Sequence, residues 1–286
     1  MTHPVKGIDH CFVLVDDLDD AARRYEAMGF TLSPRGVHSE SKGSANYTIM
    51  FPNDYFELLG LTRPTEMNAT RRAALESQGE GLHAVACRID NAEAAAEALG
   101  GLGIGTHGLG SFERPVPLPG GDTGIAAFST VAYAPEEVPL GIVFMCQHKT
   151  RDTVWIDELL HHANTACGLD AIVALSADPE ADAAGFARLW AAGNVTQVPL
   201  GVTVETGPNS APLVLMRAED MAARYPGANL GKLARGAFAG MRIKVADMAA
   251  ARACLDKSGI PAIETPEGVA VPPEAGCGAF VEFVPA

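Results

Sequence analysis

The sequence predicts an α+β fold of four repeated units, each made of one strand, one helix and three further strands. The main observation is a self-match, in which residues 7–22 recur at 81–95 and His10 aligns with His83 without a gap. The same order of apolar strand, alanine-rich helix and glycine exit starts twice more in the second half of the chain. An internal repeat of this kind constrains the fold more strongly than local propensity does.

The first unit starts with the apolar residues 8–15, whose β-branched side chains favour a strand. Asp17 stands at the start of the predicted helix, and the self-match places it on Asp90 of the second unit. Gly, Ser, Pro and Asn residues then separate three extended stretches, at 30–37, 46–51 and 55–61. One unit is therefore expected to have the order βαβββ.

The second unit repeats this order from residue 81, and its segment 105–139 is rich in Gly and Pro, which predicts an enlarged loop or hairpin. The third and fourth units start with the apolar segments 169–175 and 241–247. Two units make a lobe of ordinary domain size. We therefore expect an N-terminal lobe at 1–150 and a C-terminal lobe at 151–286.

The strand–helix–three-strand order, with His10 in its first strand and Glu57 in its last, resembles the vicinal oxygen chelate superfamily, which includes glyoxalase I, extradiol dioxygenases and fosfomycin-resistance proteins. The segments 35–38, 43–46 and 144–148 look closer still to a glyoxalase-like subgroup. The resemblance implies that the four units pair into two half-open barrels. It also implies that first-strand His and last-strand Glu residues hold a divalent metal in a cup.

Composition favours a cytoplasmic protein with a small-molecule ligand. The chain has 286 residues, is 48% hydrophobic and carries a net charge of −14, which argues against nucleic acid and anionic membranes as partners. No long apolar run precedes the first strand, and the six cysteines show no CxxC pair, so neither export nor a disulfide framework is expected. A homodimer is compatible with this composition.

His10, Glu57 and His83 are the predicted metal ligands, and Glu57 is also the predicted catalytic residue. Either histidine alone would more often be a hydrogen-bonded core residue, but their matched positions favour a shared site. Glu57 lies between Phe56 and Leu58, where a carboxylate is costly to bury without a cation or hydrogen-bond donors. Two imidazoles and one carboxylate suit Fe, Mn, Ni or Zn and leave positions open for a substrate.

The position that corresponds to Glu57 in the second unit has two interpretations. Aligning the last strands places Phe144 there, which cannot bind a metal, while a slip of three residues places Gln147 there but requires a bulge. Phe144 is the better match, and it disfavours a glyoxalase I reaction. In the fourth unit, Glu282 matches Glu57. An alternative pairing of the first unit with the fourth and the second with the third stays open.

Further residues are expected to line the substrate pocket: His38, Asn46, Tyr55, Phe144, Gln147 and His148. Two functions follow from the sequence. The first is a metal-dependent enzyme, of lyase, isomerase or dioxygenase type, that binds adjacent oxygen atoms of a small substrate. The alternative is a small-molecule binding or sequestering protein of the same fold that uses no metal.

Overall fold

The structure, a computed structural model, describes residues 2–119 and 121–286 and contains the four predicted βαβββ units. The first unit comprises β1 (Ile8–Val15), α1 (Leu18–Ala27), β2 (Gly36–Val37), β3 (Ser44–Met50) and β4 (Tyr55–Leu61). A connecting helix, α2 (Ala69–Gln78), leads to the second unit, with β5 (Gly81–Arg88), α3 (Ala92–Gly101), β6 (Thr106–Pro117), β7 (Thr123–Tyr133) and β8 (Ile142–His148). The segment predicted as an enlarged loop or hairpin forms the long antiparallel pair β6–β7.

The second half repeats this arrangement. The third unit comprises β9 (Ala166–Leu175), α4 (Pro179–Ala187), β10 (Val195–Val198), β11 (Gly201–Val204) and β12 (Leu213–Met216). Helix α5 (Ala218–Arg224) leads to the fourth unit, with β13 (Gly240–Val245), α6 (Met248–Ser258), β14 (Ile263–Glu264), β15 (Val269–Val271) and β16 (Phe280–Pro285). The predicted α+β fold of four βαβββ units is confirmed.

Units pair within each half of the chain. The first sheet has the strand order β2-β3-β4-β1-β5-β8-β7-β6, and the second has β10-β11-β12-β9-β13-β16-β15-β14. In the first sheet β1 joins the two units by antiparallel pairing with β5, and the end strands β2 and β6 are also in contact. The first sheet therefore curls into a cup, and the alternative pairing of the first unit with the fourth is wrong.

One stretch is shorter than predicted. The segment expected as a strand at 30–37 pairs as strand β2 only over Gly36–Val37. Pro34 lies just before this strand, and proline has no amide hydrogen to donate to a ladder. Upstream, the amide of Thr31 donates to His162 of the connector between the halves, 3.0 Å away. The chain from Phe30 to Arg35 is therefore held by side chains and by isolated backbone contacts.

The helix caps correct the register of the internal repeat. Asp17 and Asn91 each begin a helix and accept hydrogen bonds from its first amides. Asp17 lies seven positions after His10 in the sequence. Counting seven positions back from Asn91 gives Ala84, so Ala84 is the equivalent of His10. The predicted match of Asp17 with Asp90, and of His10 with His83, is thus displaced by one residue, because the cap position fixes the start of each helix.

The strand register places Phe144 where the first unit has Glu57. Phe12 of β1 lies opposite Glu57 in parallel β4, and Ala86, which is equivalent to Phe12, lies opposite Phe144 in parallel β8. The preferred alignment of the last strands is therefore the observed one. The two barrels share one large apolar core, in which the hydroxyl of Tyr25 from the first half donates to the carbonyl of Gly276 in the second.

In the second barrel, a buried carboxylate forms all of its hydrogen bonds with other side chains of the protein. Glu282 is completely buried, and Arg224 of α5 donates to both of its oxygens at 3.0 and 2.8 Å. The hydroxyls of Tyr225 and Thr265 also donate to it. Burying a charge is tolerated when it is paired and hydrogen-bonded in this way.

We expect Arg224→Met to lower the free energy of unfolding by about 3–5 kcal/mol, because it leaves Glu282 buried without its main partner. Arg23→Met is the matched control, since Arg23 pairs with Asp20 at the exposed surface, where such pairs contribute about 0–1 kcal/mol. Urea unfolding of both variants measures the difference. Equal losses in the two variants would contradict a stabilising role for the buried pair.

Candidate active site

The first barrel encloses a cavity of about 370 Å³. Its walls carry predicted site residues, cationic side chains and further apolar side chains. The predicted residues among them are His10, His38, Asn46, Tyr55, Glu57 and Phe144. Cationic residues reach the cavity from three different segments: Lys42, Arg71 and Arg114. A wider and more open cleft of about 570 Å³ lies between the end of α2 and the second half, but it contains none of the predicted site residues.

His10 is held on three sides. Its Nδ1 lies 2.9 Å from Oδ1 of Asp9, its ring stacks on Tyr55 at 4.4 Å between centroids, and the edge of Phe144 approaches at 5.7 Å. The His10 side chain is 5% exposed. A carboxylate at Nδ1 fixes ring orientation and leaves Nε2 for a ligand or substrate.

Asp9 reaches His10 because β1 is irregular at this point. Neighbouring strand residues normally face opposite sides, but the pairing of β1 with β5 shifts between Ile8 and His10, so Asp9 is the extra residue of a β-bulge. Its Oδ1 also lies 2.8 Å from Nε2 of His148, and Arg88 lies 3.4 Å from Oδ2. The bulge therefore turns a carboxylate towards two histidines.

Asp9 keeps its charge although it is buried. Burial alone would raise the pKa of this carboxyl group, but its hydrogen bonds with His10 and His148 outweigh burial and hold the pKa well below its usual value. His148 Nδ1 is buried without a partner in the described part of the chain. Asp9 is accordingly a fixed anion at the base of the site.

Glu57 stands across from His10. Its Oε1 lies 3.7 Å from Nε2 of His10, which is longer than a direct hydrogen bond, and its Oε2 accepts a hydrogen bond from the amide of Asn46. The Glu57 side chain is 12% exposed. Oε1 thus faces the cavity with no donor from the described residues.

Glu57 is surrounded by positive charge. Burial lowers the pKa of Lys42, Arg71 and Arg114, and the charge of Glu57 acts in the opposite direction on each. For Lys42, burial and nearby Arg71 reduce the pKa to about 8. Burial also lowers the pKa of His38 to about 4, so that its ring is neutral near pH 7. The site therefore combines one accessible carboxylate with several cations.

Three of the predicted residues, His83, Gln147 and His148, are not among the residues that line the cavity. His83 is the extra residue of a second bulge in the β1–β5 pair, and its Nε2 lies 2.8 Å from the carbonyl of Gly79 at the end of α2. Gln147 points to α3, where its side-chain oxygen accepts a hydrogen bond from the amide of Ala92. His148 contacts the site through Asp9. The predicted ligand trio of His10, Glu57 and His83 is thus not brought together.

The residues around Glu57 do not fit the metal that the fold suggests. In the second unit Ala84 and Phe144 occupy the positions of His10 and Glu57, so the described chain offers two ligands there, whereas catalytic zinc sites have three. Three cations beside Glu57 also oppose a divalent ion. A different group that shares His10 fits better, since Asp9, His10 and His148 each present a ligand atom within 4.8 Å of the others.

Sequence reasoning missed Asp9 and the three cations. Asp9 is adjacent to His10 in the sequence, but the two side chains come together only because of the β-bulge in β1. Lys42 lies in a loop, Arg71 on connecting helix α2 and Arg114 on the hairpin strand β6, so sequence spacing gives no sign that they converge. The Gly- and Pro-rich composition of segment 105–139 was the one sequence signal related to these cations, because it predicted a loop or hairpin over the cup.

Comparison with known proteins identifies the fold and the family. The family model of the glyoxalase-like domain matches residues 8–190, which is more than half of the chain. A hypothetical protein from Staphylococcus aureus aligns over 98% of this chain and 99% of its own, with 11% identity and a TM-score of 0.69. A variant of 4-hydroxymandelate synthase from Streptomyces coelicolor aligns over 99% of this chain and 93% of its own, with 12% identity and a TM-score of 0.60.

A comparison with curated protein sequences found no match. Among the described residues, no helix has the length and apolar character needed to cross a bilayer. The family match covers both units of the first barrel, and the whole-chain alignments reproduce the two-barrel fold. The chain therefore belongs to the glyoxalase-like domain family of the vicinal oxygen chelate superfamily.

Proposed function

We propose that this chain is an enzyme that moves a proton on a small compound with adjacent oxygen atoms, such as an α-hydroxy ketone or an α-keto acid. The observation that carries the proposal is the facing pair of His10 and Glu57, 3.7 Å apart inside the cavity of the first barrel. A buried carboxylate and an oriented imidazole are the groups used for general acid–base catalysis.

Glu57 is the proposed base. Asn46 holds one of its oxygens, and the other faces the cavity, where it can accept a proton from a carbon next to a carbonyl group. Such a proton transfer produces an enolate, whose negative charge must be stabilised. The cationic side chains around Glu57 supply that positive charge.

His10 is the proposed partner of Glu57, and Asp9 is a positioning residue. The Asp9 carboxylate fixes the proton on Nδ1, which leaves Nε2 on the cavity side as an acceptor. Stacking on Tyr55 prevents rotation of the ring. In this arrangement His10 exchanges a proton with the substrate oxygen while Glu57 acts at carbon.

A divalent metal is the second candidate, and the Asp9–His10–His148 group favours it. Two imidazoles and one carboxylate suit Fe, Mn, Ni or Zn. In the structure both histidines are hydrogen-bonded to Oδ1 of Asp9, which satisfies Asp9 without an ion. Metal-dependent lyase, isomerase or dioxygenase chemistry would centre on this group, with Glu57 as a neighbour of His10 and not as a ligand.

We also propose that the protein acts in the cytoplasm. All six cysteines are free thiols, and four of them are buried. Free buried thiols are typical of a reducing compartment. A homodimer stays a prediction.

We expect wild-type protein in deuterated buffer to exchange the proton next to the carbonyl group of at least one α-hydroxy ketone or α-keto acid. Glu57→Gln keeps the shape but cannot accept the proton, so the exchange rate should fall by about 10²–10⁴-fold. Proton NMR of the substrate measures the rate. Glu180→Gln, an exposed carboxylate in the second half, is the control and should leave the rate unchanged.

Two outcomes would count against this proposal. Exchange that persists in Glu57→Gln would remove Glu57 from the reaction. Compounds that stabilise the protein in a thermal-shift assay without any exchange would support the alternative, a binding or sequestering protein.

We expect exchange to survive treatment with a chelator, because the proposed chemistry uses only side chains of the protein: His10, Glu57 and the cations around Glu57. Elemental analysis of untagged protein before and after treatment verifies the metal content. Loss of exchange that one of the four ions restores, together with loss of bound metal in His148→Ala, would favour the Asp9–His10–His148 metal site. Glu57→Gln should keep its metal in that case, which makes it the control for this assay.

A further inference from the structure

We propose that Lys42, Arg71 and Arg114 form an anion subsite that selects a small carboxylate with a flat apolar body as the ligand of the first barrel. This inference rests on the proposed function, since it names the substrate class of the same cavity. Binding measurements can nevertheless test it without any turnover.

The three cations converge from separate parts of the fold. Lys42 comes from the loop before β3, Arg71 from α2 and Arg114 from β6. Gly36 makes room for Arg114, because a Cβ at this position would lie 2.4 Å from Oδ1 of Asn46 and 2.9 Å from Cζ of Arg114. Arginines on a solvent-exposed surface do not need a neighbouring glycine to make room for them, so this contact indicates that Arg114 is directed into the barrel.

The cations carry no counter-charge of their own. In the described part of the chain, the side chains of Lys42, Arg71 and Arg114 have neither a salt bridge within 4.0 Å nor a hydrogen bond, although all three are half-buried. Lys42 rests over the ring of Phe112 at 2.8 Å, and Arg71 lies 5.7 Å from the ring of Phe12. Aromatic faces only partly offset a cation that has lost water.

The second barrel provides a comparison, because its buried cation has a structural role and is fully paired. There Arg224 makes two hydrogen bonds to Glu282, and Tyr225 and Thr265 complete the set. In the first barrel Glu57, the one carboxylate among the described residues that line the cavity, takes its hydrogen bond from Asn46 instead. Because Asp9 lies behind His10 and is paired there, the described lining itself carries three cations against one carboxylate, an excess of positive charge that an anionic ligand would neutralise.

The remaining lining defines the rest of the ligand. Aromatic rings form much of the wall: Phe12, Tyr55, Phe112, Phe128 and Phe144. A volume of about 370 Å³ is at the lower end of the range for small-molecule sites, which suits a ligand with one ring. Among the residues that the structure describes, buried Asn46 Oδ1 has no hydrogen-bond partner, so it can accept a hydrogen bond from a ligand hydroxyl.

A carboxylate fits this chemistry better than a neutral group of the same shape. Arginine presents a planar fork that matches the two oxygens of a carboxylate, and lysine adds a point charge. Hydrogen bonds to charged groups are stronger than those between neutral groups. The charge of the ligand should therefore determine its affinity.

The test measures binding of phenylacetate and 3-phenylpropionate, each against its own amide, by isothermal titration calorimetry. Acid and amide have nearly the same shape, so their difference reports the charge. We expect the acid to bind at least about tenfold tighter than the amide. Arg114→Gln and Lys42→Met should each remove about tenfold of acid affinity and leave amide affinity unchanged. Arg23→Gln, at the exposed surface of α1, is the matched control.

Glu57→Gln separates this inference from the proposed function. It removes a like charge from the cavity, so acid affinity should rise even though proton exchange is lost. Equal affinity for acid and amide, unchanged acid affinity in both cation variants, or no binding of either acid would each overturn the subsite. Acid selectivity without proton exchange would instead retain the subsite and reject the enzyme. Folding of each variant is verified by circular dichroism.

Discussion

The antiparallel pairing of β1 with β5 is the constraint on which both the first barrel and its site depend. It joins two units into one sheet, and it contains two bulges in equivalent places, at Asp9 and at His83. The bulge at Asp9 brings a carboxylate to the same side as His10, from where it also reaches His148 on β8. The equivalent bulge turns His83 to the carbonyl of Gly79. The same kind of β-bulge thus has opposite effects in the two units. In the first it brings Asp9 to the site, and in the second it directs the predicted ligand His83 away from the site.

The two barrels also use their buried carboxylates differently. Glu57 and Glu282 occupy equivalent places in their strands, each opposite the same position of a parallel first strand. Glu282 is sealed by Arg224 and has no exposed surface, so it belongs to the structure of the second barrel. Glu57 keeps one oxygen towards a cavity. The repeat therefore combines a barrel that is filled by its own side chains with one that has space for a ligand.

Much of the fold could be predicted from the sequence, because apolar periodicity, helix caps and glycine exits are local signals that recur in every unit. The site was predicted less well, because the self-match could be set one residue away from the true register. His83 then appeared equivalent to His10, whereas Ala84 holds that place. The positions of His10, Asn46, Tyr55 and Glu57 followed from strand periodicity and from the family resemblance.

The missed residues depend on features that sequence does not encode locally. A β-bulge at Asp9 is a property of the pairing between two distant strands. The three cations come together only when α2 and the β6–β7 hairpin fold over the cup. These same cations bear on the chemistry that the proposed function requires. A metal would provide positive charge at the centre of a cup, and here side chains on its walls provide that charge. An enolate formed beside Glu57 would be stabilised by charges that are already oriented before the reaction, and such preorganisation is the main way in which protein electrostatics lowers a barrier.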